Sequence, residues 1–120
     1  MNIKIKSTNV AMGPNVEDYV FKKMQSLEKF IKSGGEILCE VELAKNTKHH
    51  KSVDLYKAEA NITYDGRQIY VVAEKDDLYA SIDELRDEAE RTIISRRKRY
   101  LSVVRRSSKK LKDWIRGFSK

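Results

Sequence analysis

The chain has 120 residues with one Pro, five Gly and one Cys, and 25 Lys+Arg against 18 Asp+Glu leave a formal charge of +7. A domain of this length buries roughly two-thirds of its unfolded surface, so one core without staples is expected. The lone Cys39 excludes an internal disulfide and fits a reducing compartment; with no apolar leader in MNIKIKSTNVAMGPN and no membrane-length apolar run, a soluble, cytoplasmic protein without a membrane partner is expected.

Residues 2–8 alternate Ile3 and Ile5 with Lys4 and Lys6, the period of a half-buried strand. Gly13-Pro14 supplies an N-cap and first-turn pair, and Val16, Val20, Met24, Leu27 and Ile31 repeat at helical spacing. Ser33-Gly34-Gly35 predicts the end of that first helix, which places Lys22, Gln25, Lys29 and Lys32 together on its outer face. From Glu36 the period returns to two, with Ile37, Cys39, Val41 and Leu43 inward and Glu40 and Glu42 outward, until KNTKHHKS (45–52) predicts a hairpin loop.

A third strand carries Tyr56, Ala58, Ala60, Ile62 and Tyr64 inward, Asp65-Gly66 signals a type I′ hairpin, and Ile69, Val71 and Ala73 face inward on a fourth strand. Asp76 or Asp77 can cap a second, longest helix whose stripe runs Leu78, Ile82, Leu85, Ala89 and Ile93. The order β-α-β-β-β-α predicts an α+β sandwich, a four-stranded sheet with two helices packed on one face. The expected boundaries are a domain over 1–100 and a basic amphipathic C-terminal extension over 101–120, with Tyr100, Val104, Leu111, Trp114, Ile115 and Phe118 as its apolar positions.

Charge is unevenly spread, because residues 1–90 hold 13 Lys+Arg and 17 Asp+Glu whereas 91–120 hold 12 and one. A cationic block that also carries helical apolar residues reads as a surface for a polyanion, nucleic acid first, rather than as a solvated tail. If the helices lie side by side, Lys22, Lys23 and Lys29 come near Arg91, Arg96, Arg97 and Lys98, a cationic surface suited to the phosphates of folded RNA. Asp87 and Arg91 have the spacing of a helical ion pair.

No catalytic role is expected, since neither a nucleophile–base arrangement nor a phosphate-cradling glycine loop is present. No metal or other cofactor is expected either, because His49-His50 are adjacent in a loop and Cys39 points inward, leaving no set of three or four ligands. Tyr70 alone takes the outward phase of the sheet, too little for a base-stacking platform.

The segment A-E-K-D-D-L-Y-A-S-I-D (73–83) resembles the A-x-x-x-D-[ML]-Y-x-A-I-D junction of the ribosome hibernation-promoting factors, also called ribosome-associated inhibitor A or ribosomal subunit interface proteins. Asn9-Val10, the K-x-x-x-L-E-K-F segment of Lys23 to Phe30, the Asp65-Gly66 turn and Arg91 also fall where that pattern places them, so the resemblance covers roughly residues 1–100. It implies a topology similar to a double-stranded-RNA-binding domain. It also implies binding to the small ribosomal subunit and its rRNA in the channel between head and body, within the 70S ribosome, and inhibition of translation of idle ribosomes under stress or in stationary phase.

By the same resemblance, Lys23, Lys29, Arg91, Arg96, Arg97 and Lys98 match positions where members present basic residues to rRNA, and helix geometry adds Lys22. Glu88 departs from the pattern, standing where some members have Lys, and the 101–120 segment departs from the short members. The chain looks like a short form without the dimerisation domain of longer members, so any ribosome pairing would need a separate dimerisation partner. Two other classes stay open: a general double-stranded-RNA-binding protein whose basic tail carries the affinity, and a protein-interaction module regulating the transcription machinery.

Overall fold

The computed structural model describes residues 1–48 and 53–118, with side chains described over 1–46, 54–103 and 105–106. Its elements are β1 (Asn2–Thr8), α1 (Pro14–Gln25), a 3₁₀ turn at Glu28–Phe30, β2 (Leu38–Lys48), β3 (Val53–Tyr64), β4 (Arg67–Lys75) and α2 (Leu78–Phe118). The sheet order is β1-β2-β3-β4. β1 pairs with β2 in parallel, which requires the α1 crossover between them, and the other neighbours are antiparallel hairpins. The expected α+β sandwich is the observed architecture.

The period-2 residues behave as their spacing dictates. Cys39, Leu43, Ala58 and Ile62 are fully buried, and Val20, Met24, Leu27, Ile82, Leu85, Ala89 and Ile93 of the helical layer close over them in one core. Each buried Leu, Ile or Met contributes about 1.5–3 kcal/mol through the area it removes from water. In register, Ala58 faces Ala73 and Ala60 faces Val71, so small side chains lie on the strands that α2 crosses and let the helix approach closely. The opposite sheet face is open and mixed in charge: Lys4 lies beside Glu40 and Lys6 beside Glu42 across β1 and β2, while Lys57 bridges Glu59 at 2.8 Å.

Asp65 and Gly66 both take positive φ, 49° and 71°, the pair of left-handed residues a type I′ turn requires. At the start of α2 the carboxylate of Asp77, rather than Asp76, accepts from the Ala80 N–H at 2.9 Å, and the Ser81 hydroxyl donates to the Leu78 carbonyl at 2.6 Å.

Three expectations need correction. The first helix ends at Gln25, not at the glycines: the Ser26 hydroxyl donates to the Lys23 carbonyl at 2.5 Å, and the Leu27 N–H bonds the Met24 carbonyl in a tightened 3₁₀ pattern that keeps Leu27 fully buried. Lys29 and Lys32 therefore lie in and beyond the 3₁₀ turn and do not continue the α1 face of Lys22. The 45–52 segment is also shorter as a loop than its polarity suggests, since Lys45 pairs with Tyr56 and the ladder continues to Lys48 opposite Val53. The polar run remains a strand because β3 supplies backbone partners to it, although β1 pairs only as far as Ala44. His49 and His50 lie outside the described residues. Finally, Arg91 pairs with glutamates and not with Asp87, as set out below.

Beyond Ile93, the last buried residue of α2 among those whose side chains are described, the helix continues without a break to Phe118. Its 41 residues span about 60 Å at 1.5 Å each. The side chains of Trp114, Ile115 and Phe118 lie outside the described ones.

Candidate nucleic-acid interface

The seven cations singled out from the sequence sit on α1, the 3₁₀ turn and the middle of α2, and the fold gives them different electrostatic surroundings. Lys22 and Lys29 are exposed, with the Lys29 ammonium 5.1 Å from the centre of the Phe30 ring. Lys23 is one residue further round α1 and turns toward α2, where its ammonium meets the Asp83 carboxylate at 3.1 Å.

The Tyr19 hydroxyl donates to the same Asp83 oxygen, and Tyr19 stacks edge-on against Tyr79 with ring centres 5.0 Å apart. Hydrogen bonding to Asp83 raises the pKa of both Lys23 and Tyr19. Burial pushes the Asp83 carboxyl up, but the Tyr19 and Lys23 hydrogen bonds and the Lys23 charge outweigh it and hold the group below its usual value. Lys23 thus joins the two helices and offers only part of its charge to a partner.

Arg91 is exposed, yet its guanidinium donates to Glu88 at 2.6 Å and Glu84 at 3.0 Å, contacts that raise its pKa, the Glu88 bond foremost. The expected Asp87 pair does not form, because Asp87 lies 3.3 Å from Arg86 and the two glutamates reach Arg91 with longer side chains. Glu88, the residue that departs from the family pattern, is one of the two neutralising carboxylates.

Arg96, Arg97 and Lys98 stand past the acidic half of α2, and no carboxylate among the described residues lies in ion-pair distance of them. At helical spacing Arg91 and Lys98 share the outward face, while Arg96 and Arg97 turn roughly 140° one way and 120° the other. Arg96 accordingly reaches the sheet side and donates to the Gln68 carbonyl at 3.4 Å. Arg97 lines a groove with Phe30, Lys32 and Tyr100. The structure therefore brings Arg97 beside the 3₁₀ turn and Lys98 beside Arg105 and Arg106, and spreads the seven cations over several sides of the helical layer instead of one plane.

Two arginines that matter were missed in the sequence. Arg86 is largely buried and joins the helices by donating to the Ser26 hydroxyl at 3.0 Å, bridging Glu90 at 3.2 Å and covering the Phe30 ring. Its i,i+4 spacing to Glu90 was a legible signal; its reach to Ser26 was not. Arg67, just after the hairpin turn, lays its guanidinium 4.2 Å from the centre of the Tyr100 ring, a meeting that only the tertiary path of α2 creates.

Other chemistry has little support in the geometry. Burial pushes the Cys39 thiol up to about 12, so it stays protonated and unreactive in the folded chain. Among the described residues no group of three His, Cys, Asp or Glu side chains is placed to hold a metal ion. No described helix is long and apolar enough to cross a membrane. What the fold concentrates is exposed cation on one helix from Arg96 to Arg106, the chemistry of phosphate contact.

Comparison with known proteins identifies the lineage. The family model described as sigma 54 modulation protein / S30EA ribosomal protein matches residues 3–101. A protein of Klebsiella oxytoca named ribosome hibernation promoting factor is 30% identical over 93 residues, which covers 78% of this chain and 90% of the relative. Among solved structures, the N-terminal domain of Thermus thermophilus protein Y is similar with a TM-score of 0.67 at 30% identity, covering 79% of this chain and 98% of that one. A ribosomal subunit interface protein from Coxiella burnetii has a TM-score of 0.64 at 25% identity, covering 82% and 98%. The matched span holds all of the sheet but Asn2, with α1 and the packed part of α2, and the chain belongs to the sigma 54 modulation protein / S30EA ribosomal protein family.

Proposed function

We propose that this protein is a cytoplasmic ribosome hibernation factor that occupies the mRNA and tRNA channel of the small ribosomal subunit and keeps idle ribosomes from translating. The observation that carries the reading is the charge inversion along α2: residues 78–90 hold five carboxylates against Arg86, and residues 91–106 hold seven Lys+Arg and no carboxylate. A helix presenting free cations beyond a packed acidic half is built to touch phosphate at one end only. Family membership and the names of the relatives point to the ribosome as the source of that phosphate.

In this reading Arg96, Arg97, Lys98, Lys29 and Lys22 contact rRNA directly, while Lys23 and Arg91 contribute through charges shared with Asp83, Glu84 and Glu88. Residues 1–100 form the docking body and the basic extension over 101–120 prolongs the contact. Inhibition is by occupancy and needs no cofactor or catalytic step.

The test is co-sedimentation of the full chain with small subunits and with 70S ribosomes, in competition with unrelated duplex RNA. Neutralising about six phosphates predicts a roughly thousandfold loss of affinity between 50 and 200 mM salt. The triple variant R96E/R97E/K98E should fold normally and lose at least about a hundredfold in ribosome affinity, together with its inhibition of translation. Full inhibition by that variant refutes the site. Equal competition by duplex RNA refutes the ribosome and leaves a general RNA binder.

A further inference from the structure

A groove of about 330 Å³ opens where α2 leaves the sheet, between the 3₁₀ turn and the β3–β4 hairpin. Its wall includes Phe30, Lys32, Asp65, Arg67, Arg97 and Tyr100. Three features of this wall go beyond a generic cationic surface. Tyr100 is 51% exposed, and the Arg67 guanidinium lies 4.2 Å from its ring centre, so a cation supports a ring that is half open to solvent. Lys32 and Arg97 are exposed and have no carboxylate in ion-pair distance among the described residues. Asp65 puts a carboxylate among the cations Lys32, Arg67 and Arg97 of a wall that is otherwise apolar and aromatic, and the Ser33 hydroxyl donates to its Oδ1 at 2.9 Å.

We infer that this groove binds a single unpaired nucleotide of an RNA, its base stacked on Tyr100, its phosphate on Lys32 and Arg97, and its base edge hydrogen-bonded to Asp65. A supported aromatic ring next to free cations is the arrangement that holds an unstacked base and its backbone together. The carboxylate sets the preference. Asp65 is an acceptor only, with lone pairs left after the Ser33 bond, and guanine offers it two adjacent donors, N1–H and N2–H₂, where uracil offers a single N–H. A purely electrostatic groove would not carry an anion at its wall. The inference rests on the proposed function only for the source of the RNA, since the groove's chemistry is testable without ribosomes.

The experiment is a titration of the full chain with GMP, UMP and ribose 5-phosphate, followed by amide and tyrosine-ring NMR signals. GMP is expected to give saturable shifts at residues 30–32, 65–67 and 97–101, with UMP weaker and ribose 5-phosphate weaker still. Loss of base stacking in Tyr100→Ala should weaken GMP binding about tenfold or more, whereas Tyr100→Phe keeps the ring and stays within about threefold of the parent. Asp65→Asn, which suits the same left-handed backbone, should erase the preference for GMP over UMP.

Equal shifts from GMP and ribose 5-phosphate, GMP shifts confined to α2 beyond residue 101, or no saturable shift at millimolar nucleotide each overturn the inference. Sedimentation with small subunits, run on the same samples, separates the two readings. A chain that pellets with subunits yet ignores GMP loses the groove alone. A chain that takes GMP as described yet does not pellet keeps the groove and loses the ribosome.

Discussion

Asp83 accepts hydrogen bonds from the Tyr19 hydroxyl and the Lys23 ammonium, so one carboxylate on α2 collects two side chains of α1. Because its pKa is lowered on folding, its stabilising contribution is complete above the usual 3.8 and is lost as the pH falls through the lower folded value. Lys23 and Tyr19 are raised, so their contributions are complete below 10.5 and 10.0 and are lost as the pH climbs through the higher folded values. Asp83→Asn should therefore lower stability by about 0.5–1 kcal/mol on a plateau between these limits, the size expected for a partly exposed pair. The difference from the parent should shrink below pH 3.8, as read by urea unfolding across pH. A gap that persists unchanged into acid would show that the carboxylate charge is not what holds α1. Residues of this kind were the least legible part of the sequence: Lys23 was marked as a cation for RNA by its place in a motif, and nothing in its spacing revealed a partner 60 residues away. Tyr70 and Tyr64, by contrast, were placed correctly by phase alone, at 53% and 7% exposure, because a strand's period leaves two choices.

Secondary elements were legible where one interaction decides them and less so where two compete. The Asp65-Gly66 turn and the β1 strand follow from local chemistry, and both were found with their limits. The end of α1 pits helical periodicity against the need to bury Leu27 while turning toward β2, and burial wins by tightening the backbone at Ser26. In α2 the competition is electrostatic. Glu84 and Glu88 on its outward face occupy Arg91, the most N-terminal cation of the basic half, and add negative charge next to the proposed contact. The double variant E84Q/E88Q should free that guanidinium. Its affinity for small subunits should rise about three- to tenfold near 50 mM salt, and its salt dependence should steepen by about one phosphate contact. Unchanged binding with an unchanged salt slope would place Arg91 outside the contact.

At the scale of the whole molecule the chain is polar in charge as well as in packing: among the described residues the core ends at Ile93, and the seven cations from Arg91 to Arg106 sit almost entirely past it on the same continuous helix. The sequence indicated the change of character near residue 100 through its charge, but not that a single helix carries it, since a run of like charges disfavours helix. Aligned peptide dipoles offset part of that cost, because cations are favoured toward a helix C-terminus. Such a helix has a sharp internal gradient of stability. Amides from Leu78 to Ile93 share the core's protection, whereas those at 101–103 and 105–106 lie outside the buried core and are held by local helical hydrogen bonds. Hydrogen exchange on the free chain should show protection falling by about a hundredfold or more across residues 94–102. On addition of small ribosomal subunits, slowing over 94–106 is expected if the basic half of α2 lies against rRNA. Exchange that slows only on the open sheet face would place the ribosome on the other side of the molecule, and uniform protection along free α2 would mean that something other than rRNA covers the extension.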